Sequence, residues 1–196
     1  MHVSMRHQVD GPRLGAPKAS GVLGHTSQSG GTIIHEGLPL SDPVSAFVES
    51  AGILALDDLV AVGDYLVHDP RVLDPFILRP LTNRAELSVG TARRARGASR
   101  ARAAIELVRE GVESPKETAL RLLLRRARLP EPVCGFELMD GQRFIGWFDL
   151  AWPEFRTIAE YDGDGHRTNQ RQYERDIRRY DDAADLEWRV VRVRDP

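Results

Sequence analysis

Asp140-Gly141 stands between two β-prone runs, and no other feature limits the fold of this chain as tightly. Residues 133–138 and 143–150 are rich in Val, Phe, Ile and Trp. An Asp-Gly pair between such runs specifies an antiparallel hairpin. The flanks extend the pattern. Ser114-Pro115-Lys116-Glu117 is a capping box with proline at the first helical position. The helix it opens places Leu120, Leu123, Leu124 and Ala127 on one side and stops at Leu129-Pro130. A third strand is expected at 156–161 and a loop at 162–167. Thr168 then caps a helix to Ala184, with Tyr173, Ile177 and Tyr180 inward, and a last strand covers 188–193. The order is helix, three strands, helix, strand. The second helix is a crossover, which makes strands three and four parallel neighbours. The fold class is therefore α/β (α+β) with a mixed sheet.

Upstream, the signals are less regular. Residues 1–36 are punctuated by Gly, Pro and Ser, with short β-prone pieces at 3–5, 22–25 and 32–35. Residues 37–110 read as a helical spacer, with helices at about 44–49, 56–67 and 99–110 and another that opens at Thr82 or Asn83. Leu59, Val62, Tyr65 and Leu66 form the apolar stripe of the second of these. Gly111 marks the start of a C-terminal domain, 111–196. Five arginines lie between Arg93 and Arg102. They read either as a solvated helix face or as contacts to a nucleic-acid backbone.

Composition excludes some classes. With 27 basic and 29 acidic residues, the net charge of −2 does not announce a nucleic-acid binder. Nearly all the basic residues are arginine, Lys18 and Lys116 being the only lysines. Arginine suits bidentate phosphate recognition, although a GC-rich coding sequence produces the same bias. Cys134 is the single cysteine, so neither an internal disulfide nor a cysteine-built zinc site is expected. No run of about 18 apolar residues suggests a membrane span. The first 30 residues lack an apolar signal core, and a reducing cytoplasm is the expected location.

The chemistry is concentrated between residues 148 and 166, FDLAWPEFRTIAEYDGDGH. Asp149 ends one strand, and Glu160 and Asp162 end the next. Residues two apart on a strand share a face, which sets Glu160 beside Asp162. Pairing across the Trp152-Pro153-Glu154 corner would bring Asp149 to them. Clustered carboxylates repel one another and lose hydration unless a cation joins them. Oxygen donors suit Mg²⁺.

With those acids in that order of elements, the chain resembles the PD-(D/E)XK, restriction-endonuclease-like nucleases. It most resembles their very-short-patch-repair endonuclease-like family, in its uncharacterised actinobacterial branch. Three segments carry the likeness: SPKETALRLLLRRARLPEP, RFIGWFDLAWPEFRTIAEYDGDGHR and YERDIRRYDDAADLEWRVVRVRD. They cover residues 113–195. The resemblance implies a DNA endonuclease that uses Mg²⁺, or Mn²⁺, held by Asp149 and Glu160. His166 would be its proton carrier and Glu117 the acid of its first helix. It further implies that Arg167, Arg175 and Arg178 contact the DNA backbone, and that relatives carry an antitoxin-like segment before the point where this chain begins and continue past its end. A catalytically decayed nuclease fold that binds DNA, or that serves as a toxin–antitoxin regulator, is the alternative.

Each residue also has a plainer reading. Glu117 is what a capping box requires. Glu160 could simply pair with Arg156 or Arg143, and Arg175 could form a surface salt bridge. Asp149 could be a turn residue and His166 a loop residue. Glu154 and Asp164 read as solvated, and Trp147, Trp152 and Trp188 as packing. The chain also departs from the motif. Phe148 replaces its proline, and Asp162 stands where many relatives have lysine. Asp162 is expected to be a further metal ligand or an acceptor that orients His166. The loop Gly163-Asp164-Gly165 lacks the aromatic wedge of the repair enzyme, so mismatch recognition is not expected.

Overall fold

The structure, a computed structural model, describes residues 2–6, 18–20, 22–27, 30–70, 79–92, 96–163 and 170–194. The elements in chain order are β1 (His2–Arg6), β2 (Lys18–Ala19), β3 (Val22–Ser27), β4 (Thr32–His35), β5 (Leu38–Ser41), α1 (Pro43–Ser50), α2 (Leu56–Val67), α3 (Arg84–Thr91), α4 (Ala98–Leu107), α5 (Pro115–Arg126), β6 (Val133–Asp140), β7 (Arg143–Trp152), β8 (Thr157–Tyr161), α6 (Gln170–Asp185) and β9 (Arg189–Val193). The chain is a mixture of helices and strands, and its largest sheet is mixed, as the fold class anticipates. Among the described residues no helix is long and apolar enough to cross a membrane.

The chain divides into two compact units, Met1–Leu59 with Thr82–Glu106, and Val60–Leu81 with Leu107–Pro196. The first holds a three-stranded sheet in the order β1-β3-β2 and the hairpin β4-β5. Asp42 caps α1, accepting from the Ser45 N–H at 2.9 Å, and Asn83 caps α3 in the same way through Glu86. In the arginine cluster, residues 93–95 lie outside the described set. Arg100 donates to the carbonyls of Ala51 and Leu54, and Arg102 to that of Thr91. These two arginines satisfy carbonyls where helices end, a structural use of the charge.

The second unit carries the sheet β6-β7-β8-β9, with β6, β7 and β8 antiparallel and β9 parallel to β8. The helix between β8 and β9 makes the expected crossover. The first hairpin turns on Gly141-Gln142, one residue later than Asp140-Gly141 suggests, because Asp140 pairs with Arg143 and Gly141 takes the positive φ of +59°. Two apolar clusters flank the sheet. One gathers Leu138, Ile145, Phe148, Ala151, Ile158 and Ala183, with Tyr180 and Trp188 packed against it. The other gathers Leu120, Leu150, Trp152 and Ala159, with Leu124 and Tyr161 at its edge.

Two expected stripes are corrected by burial. On α5, Leu123 is exposed while Thr118, Arg121 and Leu122 are buried. On α2, Tyr65 is exposed and Asp64 is buried. One network causes both changes. The Arg121 guanidinium meets the Asp64 carboxylate at 2.9 Å, and Asp64 also accepts from the Thr118 hydroxyl and the Arg109 N–H. A buried charge is tolerated when it is paired and hydrogen-bonded. The network also ties residues 60–81 to the unit that contains α5. The sequence reading gives residues 60–81 to the spacer and starts the C-terminal domain at 111.

Candidate functional site

The strands β7 and β8 part company just where the acids stand. Their ladder runs Trp152–Thr157, Ala151–Ile158, Leu150–Ala159. At the next step the side chains take over from the backbone. The Asp149 N–H donates to Glu160 Oε1 at 3.1 Å, and the Tyr161 N–H donates to Asp149 Oδ2 at 2.8 Å. Each carboxylate thus caps an amide near the root of the other. On the far side of β7, Gly135 adopts φ +58° between the paired Cys134–Leu150 and Phe136–Phe148. Phe148 and Leu150, two apart, enter different apolar clusters, so the alternation of β7 changes phase at Asp149. An irregular strand that re-aims one side chain is a frequent device beside functional sites.

Glu117 joins the pair from the first turn of α5. Ser114 caps that helix, accepting from the Glu117 N–H at 3.2 Å. The Glu117 carboxylate reaches back to the Glu113 N–H at 2.8 Å, one residue beyond the reach of an ordinary capping box. It supports the helix start and lines the same groove as the other acids. Glu117, Asp149 and Glu160 line one groove of about 570 Å³, with Lys116, Arg179, Arg192 and Arg194 also in its wall.

Burial and crowding dominate the electrostatics. Burial, then the charge of Glu117, pushes the Asp149 carboxyl up to about 7. Burial, then the charge of Asp149, pushes Glu160 up to about 7. Glu117 is raised chiefly by burial. Charge is hard to hold at all three carboxyls.

Arg179, on α6, is the built-in counter-charge. It donates to Glu160 Oε2 at 2.8 Å and to the Trp147 carbonyl, and its guanidinium carbon lies 4.8 Å from the Phe148 ring centroid. Gly146 lets it through. A Cβ there would meet Arg179 Cδ at 2.4 Å and Cγ at 2.7 Å. Tyr180, whose hydroxyl burial and Glu160 push up to about 12, keeps its proton and donates to Glu160 Oε2 at 3.2 Å.

The expected residues divide. Glu117, Asp149 and Glu160 come together. Asp162 lines the same groove, but Arg192 and Arg194 take its Oδ2, at 2.5 and 2.7 Å, partners that neither expectation for it named. Burial alone would raise the Asp162 carboxyl, but the hydrogen bonds and charges of these arginines hold it below the usual range. Arg156 and Arg143 pair with Glu187 and Asp182, not with Glu160. Arg178 is exposed on α6. His166, Arg167, Asp164 and the side chain of Arg175 lie outside the described residues. The sequence reading missed Arg179, one helical turn beyond Arg175, and the pair Arg192 and Arg194 at the end of β9.

The donor set can be tested against Mg²⁺. Carboxylate oxygens suit it, and two crowded carboxylates gain most from a divalent cation. Among the described residues no group of three His, Cys, Asp or Glu side chains stands ready to hold a metal. Mg²⁺ sites, however, often use one or two carboxylates and complete their shell with water and substrate phosphate. The residues therefore fit a site built on Asp149 and Glu160. Comparison of the chain with protein-family profiles, curated proteins and solved structures returns no match.

Proposed function

We propose that this chain is a metal-dependent endonuclease that hydrolyses phosphodiester bonds in DNA. The observation that carries the reading is the crossed pair of Asp149 and Glu160, where β7 and β8 separate on the wall of a groove. The order α5, β6, β7, β8, α6, β9 and the placement of the acids within it support a restriction-endonuclease-like core.

In this reading Asp149 and Glu160 hold Mg²⁺ or Mn²⁺, with Glu117 beside them. Such a cation, when bound, polarises a phosphoryl oxygen and makes a nearby water more acidic. The remaining work falls to the chain itself. Arg179 and Tyr180 fix the Glu160 carboxylate by donating to Oε2. The Tyr161 N–H fixes Asp149. His166, by the resemblance, hands the proton to or from the reacting oxygens. Arginines contact the backbone phosphates, which position a duplex without reading its sequence.

Incubation of the purified protein with supercoiled plasmid and Mg²⁺ or Mn²⁺ tests this. Nicking is expected for the wild type and a loss of at least about a hundredfold for Asp149→Ala. Equal nicking by both, or none by either on several forms of DNA, would overturn it. A second reading has its own observation in favour. Arg179 already supplies Glu160 with a cation, as a decayed site that binds DNA without cutting would need. DNA retention with no cleavage and no calorimetric signal for either metal would select that reading.

A further inference from the structure

We infer that Arg192 and Arg194 form a phosphate clamp on the wall of the groove, and that Asp162 is the positioning residue that holds them. The inference rests on the nuclease reading for its ligand, the anionic phosphodiester of a DNA backbone. Its contacts are centred on Asp162, apart from the crossed hydrogen bonds of Asp149 and Glu160.

Asp162 follows β8 directly, and its N–H donates to the Val193 carbonyl at 2.8 Å, which locks it against β9. Arg192 and Arg194 flank Val193. Being two apart on an extended segment, they share a face. Their side chains converge on a single oxygen of Asp162. Arg192 donates through one terminal nitrogen, and Arg194 is held by Nε at 2.7 Å and by a terminal nitrogen at 2.5 Å. The Arg192 guanidinium carbon also lies 5.1 Å from the Tyr180 ring centroid. Tyr180 in turn donates to Glu160, so Arg192 is connected to the acid pair through a single ring.

Two positive charges on one carboxylate leave a surplus of one. The carboxylate is more shielded than the arginines, with side-chain exposures of 16% against 36% and 49%. Exposed ion pairs contribute little to stability, so stability is a weak reason for a second guanidinium on the same oxygen. Each guanidinium has five N–H donors in a fixed plane, and Asp162 engages only part of that set. What remains suits a phosphate, whose oxygens accept bidentate arginine contacts. The acids of the groove repel a phosphodiester, and a clamp in the same wall offsets that repulsion.

The test is fluorescence anisotropy of the full chain with a short labelled DNA duplex in Ca²⁺ buffer, across a salt series. Arg192→Ala/Arg194→Ala is expected to weaken binding at least about tenfold and to reduce the slope of log affinity against log salt by about 1.8, two phosphate contacts' worth. Asp162→Ala decides between positioning and bulk charge. It makes the protein more positive, so bulk attraction would tighten binding, whereas a clamp that loses its anchor binds about three- to tenfold more weakly. Arg192→Lys/Arg194→Lys keeps the charge, and is expected to keep the salt slope but lose affinity. It serves as the control if a deletion variant unfolds by circular dichroism. Unchanged affinity in both arginine pairs, tighter binding by Asp162→Ala, or no duplex binding by the wild type would overturn the clamp. The two readings fail separately. Cleavage that needs Asp149, with binding indifferent to Arg192 and Arg194, removes the clamp alone. Clamp-dependent binding without cleavage removes the nuclease alone.

Discussion

At Asp149 two demands conflict. The carboxylate caps the Tyr161 N–H and so helps to end the β7–β8 ladder cleanly, yet it is crowded by Glu117 and Glu160. Asp149→Asn keeps an acceptor for Tyr161 and removes the repulsion. It is expected to abolish cleavage while stabilising the metal-free protein by on the order of 1–3 kcal/mol, read from chemical denaturation. Burial, together with this crowding, sets a pH dependence. Folded-state values near 7, against ordinary carboxylate values near 4, mean that the native state binds more protons between those limits. The contribution of the pair to stability is therefore fully present below about 4 and is lost as pH rises through about 7. Denaturation of the metal-free wild type should show this fall, and Asp149→Asn should flatten it. An equal slope in both proteins would remove the pair as its cause. Asp149 beside Glu160 was legible from the pairing of β7 and β8 across the Trp152 corner, and Glu117 in the first turn of α5 from its capping box, because hairpins and helix caps are local rules. Arg179 was not, since which arginine of α6 meets Glu160 depends on a gap at Gly146 thirty-three residues earlier.

Among the elements, α6 reaches the site by crossing β7 at Gly146. Gly146→Ala puts a methyl group within 2.4 Å of Arg179 Cδ, so the arginine must move. The expected cost is about 1–3 kcal/mol in stability, as for an overpacked core, with a drop in cleavage from the loosened Glu160. A variant as stable and as active as wild type would show that Arg179 does not need this path. Strand order and the parallel return of β9 followed from the sequence through the crossover rule. The exact hairpin turn did not, because Gly141-Gln142 and Asp140-Gly141 differ by one residue and only the pairing of Asp140 with Arg143 separates them. The partners of Asp162 were hidden for a related reason. Arg192 lies on β9 and Arg194 directly after it, thirty and thirty-two residues away, and register alone brings them there.

On the scale of the molecule, the buried Asp64–Arg121 pair sets what can be cut away. Polar residues on α2 and α5 look solvent-facing in a binary pattern, so the sequence offered Tyr65 and Leu123 as core and overlooked the ion pair. A segment limited to 111–196 would take from Arg121 both its Asp64 partner and the residues 60–81 of the same compact unit. Breaking one side of a buried pair costs about 3–5 kcal/mol. Such a fragment is expected to lack a cooperative thermal transition, and Asp64→Ala in the full chain to lower stability by that amount. A fragment that melts as cooperatively as the whole chain would assign the network no such role.

The central claim is that Asp149 and Glu160 form a divalent-cation site. Calorimetric titration of Mn²⁺ into the full chain and into Asp149→Asn tests it most directly. One saturable site in the wild type, absent from the variant, is the predicted result. No binding by the wild type, or equal binding by both proteins, would contradict the claim.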